Sequence, residues 1–144
     1  MYRVAMKMIN DSDSVSDIVQ DVFIYFYEKI KQGNKIEYPK SWLYRATVNK
    51  CIDFIKLNSK FESLNTNIAS TVNTVKNDKS RIIQHALLKL KPTERSLIIL
   101  YSEGLSYKEL AEATEIKFSS IGKTLSRTLK KLKVELKKKE DELF

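Results

Sequence analysis

Hydroxyl and basic side chains recur at helical spacing in a segment near the end of the chain. Such side chains donate hydrogen bonds to base edges, and the basic ones also neutralise phosphates. The predicted base-contacting residues are Ser119, Ser120, Lys123, Thr124 and Arg127, and Lys130, Lys131 and Lys133 lie nearer to the phosphates. A solvated basic face on an ordinary helical hairpin is the alternative explanation of this charge stripe.

The elements around this segment favour the DNA explanation. Ser106 and Glu109 have the spacing of a capping box that opens a short helix, and residues 114–117 can only form a tight turn. Isoleucine and leucine then recur on one face of the next helix. The segment from Leu105 to Lys133 is therefore predicted to be a helix-turn-helix, whose second helix enters the major groove of DNA.

A second group combines a flat aromatic ring with cations, the mixture that binds unpaired bases by stacking and phosphates by charge. It comprises Trp42, Arg45, Asn49 and Lys56, on one face of a helix that begins near Pro39. On these residues alone, the simpler explanation is that Trp42 packs into the core while Asn49 faces water.

Composition limits the fold and the partners. Three glycines and two prolines among 144 residues are few for a chain built of strands and tight turns, so the sequence predicts an all-α fold. The net charge of +8 favours a polyanion or an acidic membrane surface as partner. No apolar run reaches the roughly 20 residues that span a bilayer, and the start lacks a signal-peptide pattern, so we expect a cytoplasmic protein.

Enzymatic and metal chemistry have little support in the sequence. Cys51 is the single cysteine and falls on a predicted buried stripe, and the single histidine, His85, lies among apolar residues. A zinc site made by the protein alone would need an unusual ligand set. Because there is also no glycine-rich phosphate loop or nucleophile elbow, we expect no enzyme activity, no metal and no cofactor.

The chain divides at residues 58–79, where Asn, Ser and Thr alternate with isolated apolar residues. We interpret this stretch as a flexible linker between two small helical domains, residues 1–57 and 80–144. In the first domain, a helical stripe predicts these buried residues: Val15, Ile18, Val19, Val22, Phe23, Phe26 and Ile30. The exposed positions Ile24, Tyr25 and Tyr27 of the same helix indicate a surface for a partner.

Several motifs resemble those of one family. LSYKELAE at residues 105–112 looks like the promoter-reading C-terminal domain of bacterial extracytoplasmic-function (ECF) sigma factors. LKPTER at 90–95 resembles the entry to that domain, and LSRTLKKL at 125–132 resembles its recognition helix. Response-regulator output domains share the first of these patterns. The N-terminal half must therefore decide between these two classes of protein.

That half also resembles the ECF sigma factors. VSDIVQDVF at residues 15–23 is similar to the sigma-factor helix that docks on the clamp helices of core RNA polymerase, which implies polymerase contacts for Asp17, Gln20 and Asp21. PKSWLYRATVNK at 39–50 looks like the helix that faces the melted minus-10 promoter element.

The resemblance implies a factor that binds core RNA polymerase and directs it to particular promoters. The last helix would bind the minus-35 duplex, and the Trp42 helix with loop 32–40 would bind the minus-10 strand. Promoter DNA and core RNA polymerase are the implied partners, and an anti-sigma factor is left open as a third; neither a membrane nor a small-molecule substrate is expected. Two rival functions remain: a stand-alone helix-turn-helix regulator, and a sigma-like protein that acts only through protein–protein contacts.

The sequence departs from the family pattern within the helix-turn-helix. Glu115 stands where the family often has a turn glycine, and Lys117 where a serine usually caps the recognition helix. We expect a reshaped turn, Ser119 as the helix cap, and a closer approach of the backbone to DNA at Gly122. Family members also carry further helix ahead of the position of Tyr2, so we expect either additional upstream residues or a shortened relative.

Overall fold

The computed structural model describes residues 1–62 and 78–143, which form seven helices and no strand. The N-terminal half contains α1 (Tyr2–Ile9), α2 (Ser12–Lys31) and α3 (Pro39–Glu62). The C-terminal half contains α4 (Asp78–Leu88), α5 (Pro92–Ser102), α6 (Tyr107–Thr114) and α7 (Phe118–Leu143). The predicted all-α fold is confirmed. No helix within these ranges has the length and apolar character needed to cross a membrane.

Helices α3 and α4 reach into both ends of the predicted linker, residues 58–79, because α3 continues to Glu62 and α4 begins at Asp78. Residues 63–77 of that linker lie outside the described residues. The boundaries of the two domains therefore stay a prediction.

Helix α2 buries a narrower face than the sequence predicted. Val15, Ile18 and Val22 are buried, but Phe23 and Ile30 are each 51% exposed, so their predicted burial is wrong. Helix lengths explain the difference, since eight residues of α1 span about 12 Å and the 20 residues of α2 span about 30 Å. Packing against α1 therefore covers only part of α2, whose other neighbour is α3.

Local sequence signals explain the ends of the C-terminal helices. Gly104, with a φ of +88°, follows α5 in the left-handed conformation that terminates helices without steric cost. The predicted capping box is confirmed: the Ser106 side chain accepts from the Glu109 N–H at 3.2 Å, and the Glu109 carboxylate accepts from the Ser106 N–H at 3.0 Å. Helix α7 begins at Phe118, so the predicted Ser119 cap is wrong, because a capping side chain must precede the first helical residue.

The two halves pack against each other. Helix α1 contacts α5, and α3 contacts α6. Apolar side chains of both halves, among them Val4, Met8, Leu97 and Leu110, belong to one continuous buried cluster. The core that positions the candidate interfaces is therefore shared by the halves.

Arg95 of α5 is the main polar contact inside this core. Its side chain is 5% exposed, and its guanidinium donates to the carbonyls of Leu87, Leu88 and Leu90 at 2.9–3.3 Å. The same group donates to the carbonyl of Met8 in α1 at 3.0 Å. Burial lowers the pKa of Arg95, and the four carbonyls replace the water that the guanidinium loses.

We predict that Arg95→Ala lowers the free energy of unfolding by about 3 kcal/mol, because it leaves four buried carbonyls without their shared donor. Urea denaturation followed by circular dichroism measures this loss. Arg81→Ala, at an exposed position of α4, is the matched control and should change stability by no more than about 0.5 kcal/mol. A loss below about 1 kcal/mol for Arg95→Ala would contradict this role.

Candidate nucleic-acid interface

Helix α7, the predicted recognition helix, presents a row of polar and basic residues to solvent. Ser119, Lys123 and Arg127 are all exposed, and steps of four residues place them on one side of the helix. Each step advances about 6 Å along the axis, so the row covers about 12 Å, or two turns. Ile121 and Leu125 are buried on the side that packs into the C-terminal half. The structure thus brings together the predicted base-contacting row.

The remaining predicted base contacts are less accessible. Ser120 and Thr124 are partly buried. The carbonyl of Thr124 accepts a hydrogen bond at 2.7 Å from the hydroxyl of Thr128, which is buried one turn further along α7. Ser120 and Thr124 therefore border the exposed row on the side toward the core.

The lysines that follow on α7 differ in their environment. Lys130 is exposed and makes no ion pair among the described residues, whereas the ammonium of Lys131 lies 2.7 Å from the carboxylate of Glu94. This contact with Lys131 is the main reason that the pKa of Glu94 is lowered from its ordinary value. A groove beside the pair is also lined by Lys89 and Lys91, whose contribution sequence analysis did not predict. Part of the positive charge of Lys131 is therefore neutralised by Glu94 within the protein.

The turn before α7 keeps a left-handed residue at position 115 although glycine is absent there, so the expected reshaping of the turn is not seen. Glu115 adopts a φ of +62°, the left-handed region in which a residue other than glycine is strained by roughly 1 kcal/mol. Its carboxylate forms an ion pair with Arg45 of α3. Gly122 has an ordinary helical backbone, and a Cβ added there would meet the Tyr107 ring at 3.7 Å, an ordinary contact. Packing within the protein therefore does not require glycine at position 122.

A cleft of about 240 Å³ between α2 and α3 contains three of the four predicted minus-10 residues, Trp42, Arg45 and Asn49. The fourth, Lys56, is exposed and lies two helical turns beyond Asn49, outside the cleft. The cleft is smaller than the roughly 300–1,000 Å³ of typical small-molecule sites. The structure therefore places an aromatic ring, a cation and an amide together at one accessible position.

Aromatic packing fixes the ring of Trp42 in this cleft. It stacks on Tyr25 with the ring centroids 5.5 Å apart and the planes inclined by 26°. Its centroid also lies 5.4 Å from that of the Phe26 ring. The ammonium of Lys29 lies 5.3 Å from the Tyr25 centroid, within range of a cation–π contact. Trp42 is only half-buried, so part of its ring stays accessible. Trp42 therefore packs partly against the protein, as the simpler explanation predicted, while part of its ring remains exposed, as stacking on a base would need.

Five residues that line the cleft were not predicted as part of this site: Val22, Tyr25, Ala46, Lys50 and Asp53. Tyr25 had a detectable signal, since an exposed aromatic residue on α2 already indicated a partner surface. Lys50 had none, because a lysine on an exposed helix face is ordinary and only the packing of α2 on α3 places it at a cleft.

The predicted polymerase-binding residues share one exposed face of α2. Asp17, Gln20 and Asp21 are all exposed, and helical spacing extends the same face to Ile24 and Tyr27. Ile24 is 49% exposed and Tyr27 is 65% exposed. Carboxylates beside an exposed apolar strip form a surface suited to another protein.

The single cysteine and the single histidine lie in different environments. Cys51 is buried, which raises the pKa of its thiol to about 12 and leaves it protonated and unreactive. Its predicted core position is confirmed. His85 is exposed on α4. Within residues 1–62 and 78–143, no three histidine, cysteine or acidic side chains are grouped to hold a metal ion.

Comparison with known proteins assigns both halves. Residues 1–61 match the family model of sigma-70 region 2, and residues 80–132 match that of sigma-70 region 4. The chain is 28% identical over 142 residues to the RNA polymerase sigma factor SigV of Bacillus subtilis, covering 96% of this chain and 86% of SigV. It is 25% identical to the ECF RNA polymerase sigma factor SigW of the same organism, covering 95% of this chain and 83% of SigW.

A solved structure has the same fold. It is the sigma factor RpoE of Bartonella quintana in complex with the anti-sigma factor NepR, and it matches with a TM-score of 0.70 at 20% identity, over 94% of this chain and 89% of RpoE. Helical regions 2 and 4, in this order, define a transcription initiation factor of the sigma-70 class. Within this class, the chain belongs to the ECF-type RNA polymerase sigma factors.

We predict that Gly122→Ala raises the free energy of unfolding by about 0.5–1 kcal/mol, because alanine favours the helix and its Cβ has room beside Tyr107. If the backbone approaches DNA at this point, the same change weakens binding to promoter duplex. Thermal unfolding and fluorescence anisotropy separate the two effects. Ser16→Ala, at an exposed position of α2 in the N-terminal half, is the control and should leave binding to the duplex unchanged. Unchanged DNA binding by Gly122→Ala would contradict the close approach.

Proposed function

We propose that this sigma factor contacts promoter DNA and polymerase through three separate surfaces of its own. The row Ser119, Lys123 and Arg127 on α7 binds the minus-35 duplex in the major groove, with Ser120, Thr124, Lys130 and Lys131 beside it. The cleft of Trp42, Arg45 and Asn49, with Lys56 further along α3, binds the minus-10 strand. The face of Asp17, Gln20 and Asp21 on α2 binds the clamp helices of core RNA polymerase.

The observation that carries this proposal is the accessible cleft between α2 and α3, where stacking and charged groups lie together. Unpaired bases bind to a flat side chain beside cations, and Trp42 with Arg45 supplies this combination. A stand-alone duplex-binding regulator has no use for a site of this kind. The cleft therefore supports a factor that holds melted promoter DNA, as the initiation of transcription requires.

Electrostatics supports the division of roles between the halves. Residues 118–139 of α7 contain eight lysines or arginines and one acid, so the helix attracts the phosphates of duplex DNA. The α2 face instead carries two carboxylates beside an apolar strip, a composition suited to a protein rather than to a nucleic acid. The factor performs no chemistry of its own and works in the cytoplasm, where DNA and polymerase meet.

We predict that the purified chain binds core RNA polymerase and that Asp17→Ala/Asp21→Ala weakens this binding about tenfold, a typical effect of removing central interface residues. Biolayer interferometry with immobilised core enzyme measures the affinity. Asp141→Ala removes an exposed acid at the far end of α7 and serves as the control. A chain that fails to bind core enzyme would overturn the proposed polymerase contact and leave the stand-alone regulator as the better explanation.

We predict that Arg127→Ala weakens binding to a minus-35 duplex and makes its salt dependence shallower by about 0.9 in the log–log slope, the contribution of one phosphate contact. Anisotropy titrations at several salt concentrations measure the slope. Lys31→Ala, which removes an exposed cation from the N-terminal half, should leave the slope unchanged. An unaltered slope for Arg127→Ala would mean that this side chain contacts no phosphate.

A further inference from the structure

Within the part of the chain that the structure describes, four ion pairs connect the N-terminal and C-terminal halves, and all have the same polarity. Arg3 and Lys7 of α1 lie 2.9 and 3.3 Å from the carboxylate of Glu103, whose side chain is only 7% exposed. Burial alone would raise the pKa of Glu103, but Lys7 and Arg3 outweigh it and hold the pKa below its ordinary value. In every one of these pairs the N-terminal half supplies the base and the C-terminal half supplies the acid.

The other two pairs involve the minus-10 surface directly. Lys40, at the end of the loop before Trp42, lies 3.2 Å from Glu109 of α6, and Arg45 of the cleft pairs with Glu115. In addition, Lys108 of α6 lies over the ring of Tyr38, 5.8 Å from its centroid. Helix α6 and the turn after it therefore contact the cations and an aromatic ring of the surface that would bind the promoter strand.

Charge is segregated within the C-terminal half. Residues 94–115 contain five acids and two bases, whereas residues 118–139 contain eight bases and one acid. Three of these five acids, Glu103, Glu109 and Glu115, pair with cations of the N-terminal half. The bases Lys123, Arg127 and Lys130 remain exposed on α7. The acidic side of the C-terminal half is thus complementary to the cations of α1 and α3.

We propose that the carboxylates of Glu109 and Glu115 take the place of DNA phosphates, so that the free factor rests in a closed state in which two of its minus-10 cations, Lys40 and Arg45, are occupied. This proposal rests on the function proposed above for Arg45 and the cleft, and on the expectation from the sequence that loop 32–40, which ends at Lys40, binds the minus-10 strand. In the closed state the minus-35 row on α7 forms no ion pair with the described residues of the N-terminal half, whereas Lys40 and Arg45 at the minus-10 surface are paired with carboxylates although the cleft itself stays open to solvent. Promoter DNA must compete with the protein's own carboxylates for the same two cations.

Dimensions require the halves to separate. The minus-10 and minus-35 elements lie about 25 base pairs apart, or about 85 Å along the DNA axis. A folded chain of this length has a radius of gyration of about 15 Å, and here α3 and α6 are in direct contact. A factor in this conformation cannot reach both elements at once. The interface between α3 and α6 is therefore broken when the complete promoter is bound.

The strength of the pairs suits a contact that must open. The side chains of Arg45 and Glu115 are 49% and 57% exposed, and exposed pairs are weak and sensitive to salt. Each pair should therefore reduce the apparent affinity for DNA only severalfold, because affinity falls with the fraction of molecules in the open state. Several pairs acting together bias the free chain toward closure without preventing its opening.

Closure is tested first on the free chain, without DNA or polymerase. Fluorophores attached at Glu37→Cys and Lys117→Cys report the separation of the halves by energy transfer, since both positions are exposed and each lies within three residues of an ion pair between the halves. The buried Cys51 stays unlabelled. We expect high transfer that falls as salt rises from about 50 to about 500 mM. Glu115→Gln and Glu109→Gln should start from lower transfer than Glu112→Gln, which removes the same charge from α6.

Glutamine is the suitable replacement at position 109 because the two oxygens of this carboxylate have different roles. Oε1 accepts from the Ser106 N–H in the capping box, while Oε2 faces Lys40. Glutamine can still act as the capping acceptor but carries no charge. Circular dichroism checks that the helices of each variant remain intact.

The second measurement is binding to an oligothymidylate of about 20 nucleotides, which tests stacking and phosphate contacts without a promoter sequence. We expect Glu115→Gln to bind about twofold to fivefold more tightly than the charge-matched Glu112→Gln. Arg45→Ala should bind less tightly than wild type. Equal affinities of Glu115→Gln and Glu112→Gln, or unchanged binding by Arg45→Ala, would overturn the competition between carboxylates and phosphates.

The outcomes separate this proposal from the proposed function. Low energy transfer in the wild-type chain at low salt would overturn closure even if the chain binds core polymerase. Conversely, high and salt-sensitive transfer that depends on Glu109 and Glu115 would support closure even if the chain failed to bind core polymerase.

Discussion

The guanidinium of Arg95 binds the carbonyl ends of two helices that belong to opposite halves of the chain. Met8 lies in the last turn of α1, and Leu87 and Leu88 end α4, so the positive charge sits where both helix dipoles are negative. A planar group with five donors can serve several carbonyls at once, which an ammonium cannot do with the same geometry. Burying this charge is costly, and only the assembled helix ends compensate for the cost. The arrangement of α1 on α5 therefore depends on this residue.

At the surface, ion pairs hold the same two halves together that Arg95 connects in the core. The same carboxylate of Glu109 that caps α6 also faces Lys40, so formation of the helix places the acid where the other half can use it. The pKa of Glu109 is lowered first by the Ser106 N–H and then by Lys40. The strained residue Glu115 likewise ends one helix and pairs with Arg45. Local caps and contacts between the halves are thus made by the same side chains.

The sequence allowed the prediction of those features that depend on neighbours along the chain. The helical class, the capping box at Ser106 and the core position of Cys51 follow from periodicity, spacing or composition. The contacts of Arg95 with Met8 and of Arg45 with Glu115 could not be predicted, because their partners are 87 and 70 positions away. Only part of the cleft could be predicted, because some of its residues lie on one helix and others come from a second helix. Helical spacing grouped Trp42, Arg45 and Asn49, whereas the role of Tyr25 needs the packing of α2 on α3.

Errors of prediction on α2 have a physical cause that also bears on function. Periodicity identifies which residues are apolar, but burial depends on whether a neighbouring helix reaches them, and α1 is too short to cover all of α2. Phe23 and Ile30 therefore remain half-exposed to water, where they contribute little to the stability of the fold. A surface that serves a partner cannot at the same time be satisfied within the protein. Stability must then come from the core that α1, α5 and α6 share, which is where the buried aliphatic residues and Arg95 are concentrated.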